Sequence, residues 1–233
     1  MLLQDHQGAP EYITWWDSWY LSPVNPATMD YTLDLVDRFI DEWGFDGLKL
    51  DGQHLNCCLP DHNHHSHLEY PEESVEKLPE FFQGIFDRAR EIKPYSVVQI
   101  CPCGCAMNFF LTPHMNQAVA SDPTSSAQIR MKRKVYGAMC PDMAYYADHI
   151  ELSDEANDYG TQIGIGGVIG SKFTWPKPSP DVKGDGYLLT PEKEAALKKW
   201  VGIYNDRKLS TGEYLNLYDI RFDVPETHVI AKN

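Results

Sequence analysis

The chain has 233 residues, 42% hydrophobic and 23% charged, a composition that builds a sizeable core rather than a disordered segment. Its 34 acidic residues against 20 Lys and Arg give a formal net charge of -14, which argues against nucleic acid and is compatible with a neutral ligand such as a sugar. It holds no run of about 20 apolar residues, so no membrane span is expected.

The opening, Met1 to Gly8, reads as the inside of a loop. Trp15, Trp16 and Trp19 follow, aromatic faces suited either to packing or to stacking on a sugar ring. Asn25-Pro26 is a helix start, a capping Asn before a Pro at the first helical position. Met29, Leu33, Val36, Ile40 and Trp43 then recur at helical spacing, and Gly44 supplies a left-handed end. Phe45-Asp46-Gly47-Leu48-Lys49-Leu50-Asp51 is a short apolar strand that ends in a carboxylate. A polar, His-rich loop spans residues 52 to 70. The next helix carries Phe81, Phe82, Ile85, Phe86, Ala89 and Ile92 on one face and is broken at Lys93-Pro94.

Ser96 to Ile100 is a buried type of strand, ending in Cys101-Pro102-Cys103-Gly104. Residues 106–116 read as short, irregular helix. A strand runs from Gln117 to a second terminal carboxylate, Asp122, and a helix from about 125 to 139 follows. Met143 to Leu152 and Gln162 to Ile169 read as two further strands. Asp148-His149 on the first of these, and Trp175 after the second, are placed to border a pocket. An amphipathic helix over 191–207 starts at Thr190-Pro191, and Tyr214 to Lys232 alternates as β structure does.

Helix and strand alternate over short connections, which predicts an α/β fold with a mainly parallel sheet. The five strands end near 51, 101, 122, 152 and 169. The expectation is a (β/α)8 TIM barrel represented by about strands 4 to 8, open at its front edge, over 1–212. Residues 213–233 would begin a C-terminal β domain. Five strands are three short of a barrel, so the chain reads as a fragment; an open doubly wound sheet is the alternative.

Chemistry in such a barrel sits at the C-terminal ends of the strands. Asp51 and Asp122 are both presented there. Two carboxylates are the tools of a retaining glycosidase, with carboxyl groups expected roughly 5 to 6 Å apart. Lys49, two residues before Asp51, shares its strand face and turns a positive charge toward a carboxylate that must be ionised to attack.

The six cysteines include adjacent Cys57-Cys58 and alternating Cys101, Cys103 and Cys105, which do not form the pattern of a disulfide framework. The Cys-x-Cys-x-Cys spacing is tighter than usual for zinc. Free thiols and no metal or cofactor are the reading; a metal-dependent hydrolase built on these cysteines with His62, His64, His65 and His67 is the alternative.

The segment from Ser22-Pro23-Val24-Asn25-Pro26 through Lys49-Leu50-Asp51 resembles glycoside hydrolase family 36, the melibiase-type α-galactosidases. Cys101-Pro102-Cys103-Gly104 is similar to that family's sugar-contacting Cys-x-x-Gly turn, and Ser121-Asp122 with Arg130 to its acid/base motif. Leu197 to Leu217, with Tyr204, Arg207 and Gly212, resembles the last barrel helix and the start of the C-terminal domain. The resemblance spans about residues 2 to 230. It implies a retaining hydrolase of terminal α-linked galactose, with Asp51 as nucleophile and Asp122 as general acid/base. Substrate contacts would come from Lys49, Gln53, Cys101, Gly104, Arg130, Trp16 and Trp175.

The chain departs from the family in three places. Gln53 stands where asparagine is usual, no arginine follows the Cys-x-x-Gly turn, and Arg130 lies one position late. N-Acetylgalactosamine and transfer to another sugar stay open as alternatives, as does a non-catalytic sugar-binding remnant of the barrel. The partner implied is a carbohydrate, and the full-length protein is open to homo-oligomer formation.

Overall fold

A computed structural model of the protein describes residues 1–52, 59–64, 68–102, 107–121, 126–148, 158–164, 166–170, 190–209, 213–214 and 230–231. The chain divides into two units, Met1–Asn116 and Gln117–Asn233.

The first unit begins with a small hairpin. Strands β1 (Tyr12–Ile13) and β2 (Ser18–Trp19) pair antiparallel, with Tyr12 opposite Trp19. A single 3-10 turn, Thr14–Trp16, joins them and closes at Asp17, whose φ of 48° is one that Asp tolerates better than most residues. The Tyr12 hydroxyl donates to the Asp17 carboxylate, and the Tyr12 and Trp19 rings meet edge to face at 4.8 Å. Tyr12 thus adds one polar and one aromatic contact to the backbone pairing of the hairpin.

Helix α1 (Pro26–Asp37) starts where the sequence places it. The Asn25 side chain accepts a hydrogen bond from the Ala27 N–H at 3.0 Å, and Pro26 occupies the first position. Val36 and Ile40 are buried as expected, but Trp43 is 60% exposed. The cause is a π-helical turn over Arg38–Glu42. Its wider turn advances the helix face, so Trp43 leaves the apolar stripe and meets Phe39 at a tilt and Phe45 edge to face, at 5.1 and 6.3 Å. Gly44 then takes the expected left-handed conformation, φ 75°.

After the short helix α2 (Glu73–Glu76), α3 (Leu78–Ile92) buries Phe82, Ile85 and Ala89. Burial of each large side chain contributes about 1.5–3 kcal/mol. Helix α3 packs on α1. Arg88 links the two through paired bonds to Asp37 at 2.6 and 2.9 Å, and that hydrogen bonding holds the Asp37 carboxyl below its ordinary pKa.

Strands β3 (Gly47–Asp51) and β4 (Val97–Cys101) pair in parallel, in register from Gly47 beside Val97 to Asp51 beside Cys101. Val98, Ile100 and Cys101 are fully buried or nearly so, whereas β3 is half-exposed to exposed along its length. An open front edge was expected, and within this unit β3 is the less covered strand. The irregular helix read over 106–116 is a 3-10 segment, Phe109–His114. Behind it Asn116 acts as a short extra rung. Its side chain accepts from the Val98 N–H at 2.8 Å and donates to the Ser96 carbonyl at 2.8 Å, and its own N–H donates to the Val98 carbonyl.

In the second unit, β5 (Gln117–Val119) and β6 (Ala144–Tyr146) pair in parallel around helix α4 (Ser126–Met139). The Tyr145 hydroxyl donates to the Ile129 carbonyl at 3.0 Å, and burial drives its pKa upward. Lys132 donates to the Ala120 and Ser121 carbonyls, closing the end of β5.

The strand expected over Gln162 to Ile169 is corrected. Gln162–Gly164 closes helix α5 (Asp158–Gly164), and Val168 makes a single parallel bridge to Tyr146. The Ile-Gly alternation there imitates a strand. Gly166 instead turns the chain at φ 71°, and the Gly166 and Gly167 N–H groups donate back to the Ile163 and Gln162 carbonyls, as at a helix end.

Helix α6 (Pro191–Asp206) begins at its Thr190 cap, as read. Strands β7 (Glu213–Tyr214) and β8 (Ile230–Ala231) pair antiparallel, in keeping with β structure at the C-terminus. The architecture is mixed α/β with parallel strands. No helix among the described residues is long and apolar enough to cross a membrane.

Candidate active site

The parallel register of β3 and β4 sets the site in the first unit. Asp51 stands beside Cys101, and Lys49 beside Gln99. Residues two apart on a strand share a face, so all four project from one side of the pair. Asp51 and Lys49 are exposed, and Cys101 is a buried thiol in no disulfide. Gln99, only 4% exposed, was not singled out in the sequence. The signal was there: a polar side chain in the middle of the run Val97-Val98-Gln99-Ile100-Cys101.

Trp16 belongs to this site through the hairpin. The 3-10 turn lays its indole against Gly52, the residue after Asp51. A Cβ at Gly52 would lie 2.4 Å from Trp16 Cη2 and 3.0 Å from Cζ3. The backbone there has φ 135°, and the Gly52 N–H donates to the Cys101 carbonyl at 3.1 Å. Only glycine combines that backbone with that approach. The result is a cavity of about 310 Å³ walled by Trp16, Trp19, Tyr20, Phe82 and Thr28, with Asp51 in its lining. Aromatic walls with few polar groups are usual for a small-molecule site, and the volume is at the lower end of the usual range.

Substitution tests this packing. Gly52→Ala is expected to force Trp16 away and to destabilise the fold by about 1–3 kcal/mol through the backbone conformation. Denaturant unfolding measures the second effect. Increased quenching of tryptophan fluorescence, absent when Trp16 is also replaced by Phe, measures the first.

Arg130 lies on α4, half-buried, in the second unit. Among the described residues of that unit, two buried ones have positive φ at its strand ends: Ser121 (59°) after β5 and Asp148 (62°) after β6. Such conformations in non-glycine residues collect at functional sites. Asp122, Gln53, Gly104 and Trp175 lie outside the described residues, and so does any measure of the carboxylate pair.

The His-rich loop has an anchor that the sequence did not suggest. Asp61, 2% exposed, accepts from the Gln4 and Asn63 N–H groups at 3.2 and 3.0 Å. Its own N–H donates to Ser74 Oγ at 3.1 Å. His62 packs edge to face on His6 at 6.3 Å. Among the described residues, no group of three or more His, Cys, Asp or Glu is arranged to hold a metal.

No family model matches the sequence. The chain is 31% identical over 217 residues, 91% of its length, to the A type blood alpha-D-galactosamine galactosaminidase of Flavonifractor plautii. The match covers 18% of that protein, so the chain spans about a fifth of the length of its relative. The relative is by its name a glycosidase, and 91% of this chain is similar to a part of it.

Proposed function

We propose that the protein is a retaining glycoside hydrolase that removes terminal α-linked sugars of the galactose type. Asp51 is the nucleophile and Asp122 the general acid/base. The observation that carries the reading is Asp51 at the C-terminal end of a parallel strand, in the lining of a cavity of about 310 Å³ beside Trp16. That arrangement occurs in a chain similar to a galactosaminidase.

Asp51 attacks the anomeric carbon while Asp122 gives its proton to the leaving oxygen. Asp122 then takes a proton from the water that releases the sugar. Trp16 offers an aromatic wall to the sugar ring. Lys49 keeps a positive charge on the strand face of Asp51. Gln53, Cys101, Gly104, Arg130 and Trp175 complete the substrate contacts. In this reading residues 1–212 form part of a (β/α)8 barrel and 213–233 begin a C-terminal β domain. The relative's name favours galactosamine over galactose as the sugar.

The covalent intermediate is the test. A fluorinated α-galactosyl fluoride, which forms the glycosyl-enzyme faster than it is released, should label the protein once. Peptide mass spectrometry should find the sugar on Asp51. A label on another residue, or inactivation without a covalent adduct, would overturn the assignment.

A further inference from the structure

A second cavity lies next to the first. It measures about 520 Å³ and is formed at the starts of α1 and α3 by Ser22, Asn25, Leu68, Lys77, Glu80 and Phe81. Pro23 and Phe81 line both cavities, so the two are neighbours across a shared wall. We propose that this second cavity is the subsite for the leaving group, and that it takes the next sugar of an oligosaccharide substrate. The proposal rests on the reading that the sugar attacked by Asp51 occupies the Trp16-walled cavity.

Four features of this cavity point to a sugar. The volume is within the usual range for ligand sites. The polar groups are of both signs: Lys77, itself paired with Glu73, and Glu80. With Lys77 already paired, the Glu80 carboxylate is the acceptor that this lining offers to a sugar hydroxyl. Phe81 adds a ring surface between these polar groups and the first cavity. Asn25 spends its carbonyl oxygen on the helix cap, and its amide hydrogens are the part of that group left to donate to a ligand. The contrast with the first cavity is chemical. Its walls are mainly apolar, whereas the second adds a carboxylate, an ammonium and an amide to its lining. An enzyme that cuts between two sugars needs room of this kind on the leaving side.

Glu80 is the residue to change, because it is exposed in the first turn of α3. In the full-length protein, Glu80→Ala should lower the ratio of kcat/KM for an α-galactosaminyl oligosaccharide to kcat/KM for an aryl α-galactosaminide. The expected fall is about tenfold, the worth of one hydrogen bond to a charged group. An aryl leaving group has no hydroxyls for Glu80 to hold. Glu80→Gln keeps an acceptor and should restore part of the ratio. An unchanged ratio would overturn the subsite. Calorimetry separates this from failure of the catalytic reading. Should the wild type hydrolyse neither substrate, the subsite still predicts that the disaccharide binds more tightly than the monosaccharide, and that Glu80→Ala removes the margin. Equal affinities for the two sugars in the wild type would sink the subsite on binding alone.

Discussion

Replacing Asp51 by alanine in the full-length protein is expected to abolish hydrolysis of α-galactoside-type substrates. The fall in kcat should be roughly 10⁴-fold or more, the scale found when the nucleophile of a covalent mechanism is removed. No covalent bond to the sugar can form, and an alanine methyl group offers nothing in its place. The change should be local. Asp51 is exposed at the end of β3, and its backbone, not its side chain, keeps register with Cys101. The melting temperature should therefore move little. Sugar affinity, set in this reading by the aromatic walls as well as the carboxylate, should fall far less than kcat. Activity within tenfold of the wild type would remove Asp51 from the nucleophile's role. A collapse of stability would instead show that the side chain holds the strand end in place.

What the sequence made legible was whatever is decided by neighbours along the chain. The Asn25-Pro26 helix start, the Gly44 turn and the strand ending at Asp51 depend on local propensity, and all are present. Helices α3, α4 and α6 fall where periodicity places them. The misses have physical causes. Trp43 fits a 3.6-residue pattern but follows a π-turn that no periodicity encodes. The Ile-Gly alternation near 163–167 has the period of a strand, and glycine's freedom at Gly166 uses it as a helix end instead. For the site, the strand ends were readable because a carboxylate closing an apolar strand is a local signal. The placing of Trp16 on Gly52 was not, because it depends on a hairpin folding back over a distant strand. Trp16 was nominated among three tryptophans for its chemistry, while Gly52, which lets it approach, has no side chain to attract notice. Gln99 and the second cavity were missed for the same reason: a parallel register and a shared wall are properties of the folded chain.

Asp122→Ala should leave a different signature from Asp51→Ala. The motivation is the order of the motifs, Lys49-Leu50-Asp51 on one strand and Ser121-Asp122 on a later one, with Ser121 itself buried and held at a positive φ of 59° where β5 ends. A natural sugar leaving group must be protonated as it departs, so turnover of oligosaccharides should fall by about 10²–10⁴-fold, the usual contribution of a positioned acid/base. An activated aryl glycoside leaves as a stable anion and needs little protonation, so its first step should survive. The glycosyl-enzyme on Asp51 should then accumulate, because water lacks a base to take its proton. A burst of aryl alcohol followed by a slow steady state is the expected time course. Azide is already an anion and needs no base. Added azide should restore turnover of the aryl substrate, and the product should be the α-configured glycosyl azide, since the second displacement inverts what the first inverted. A β-configured azide would mean that azide attacks the substrate directly, without an intermediate on Asp51. Turnover of oligosaccharides at the wild-type rate would take the acid/base role away from Asp122 and place it on another group.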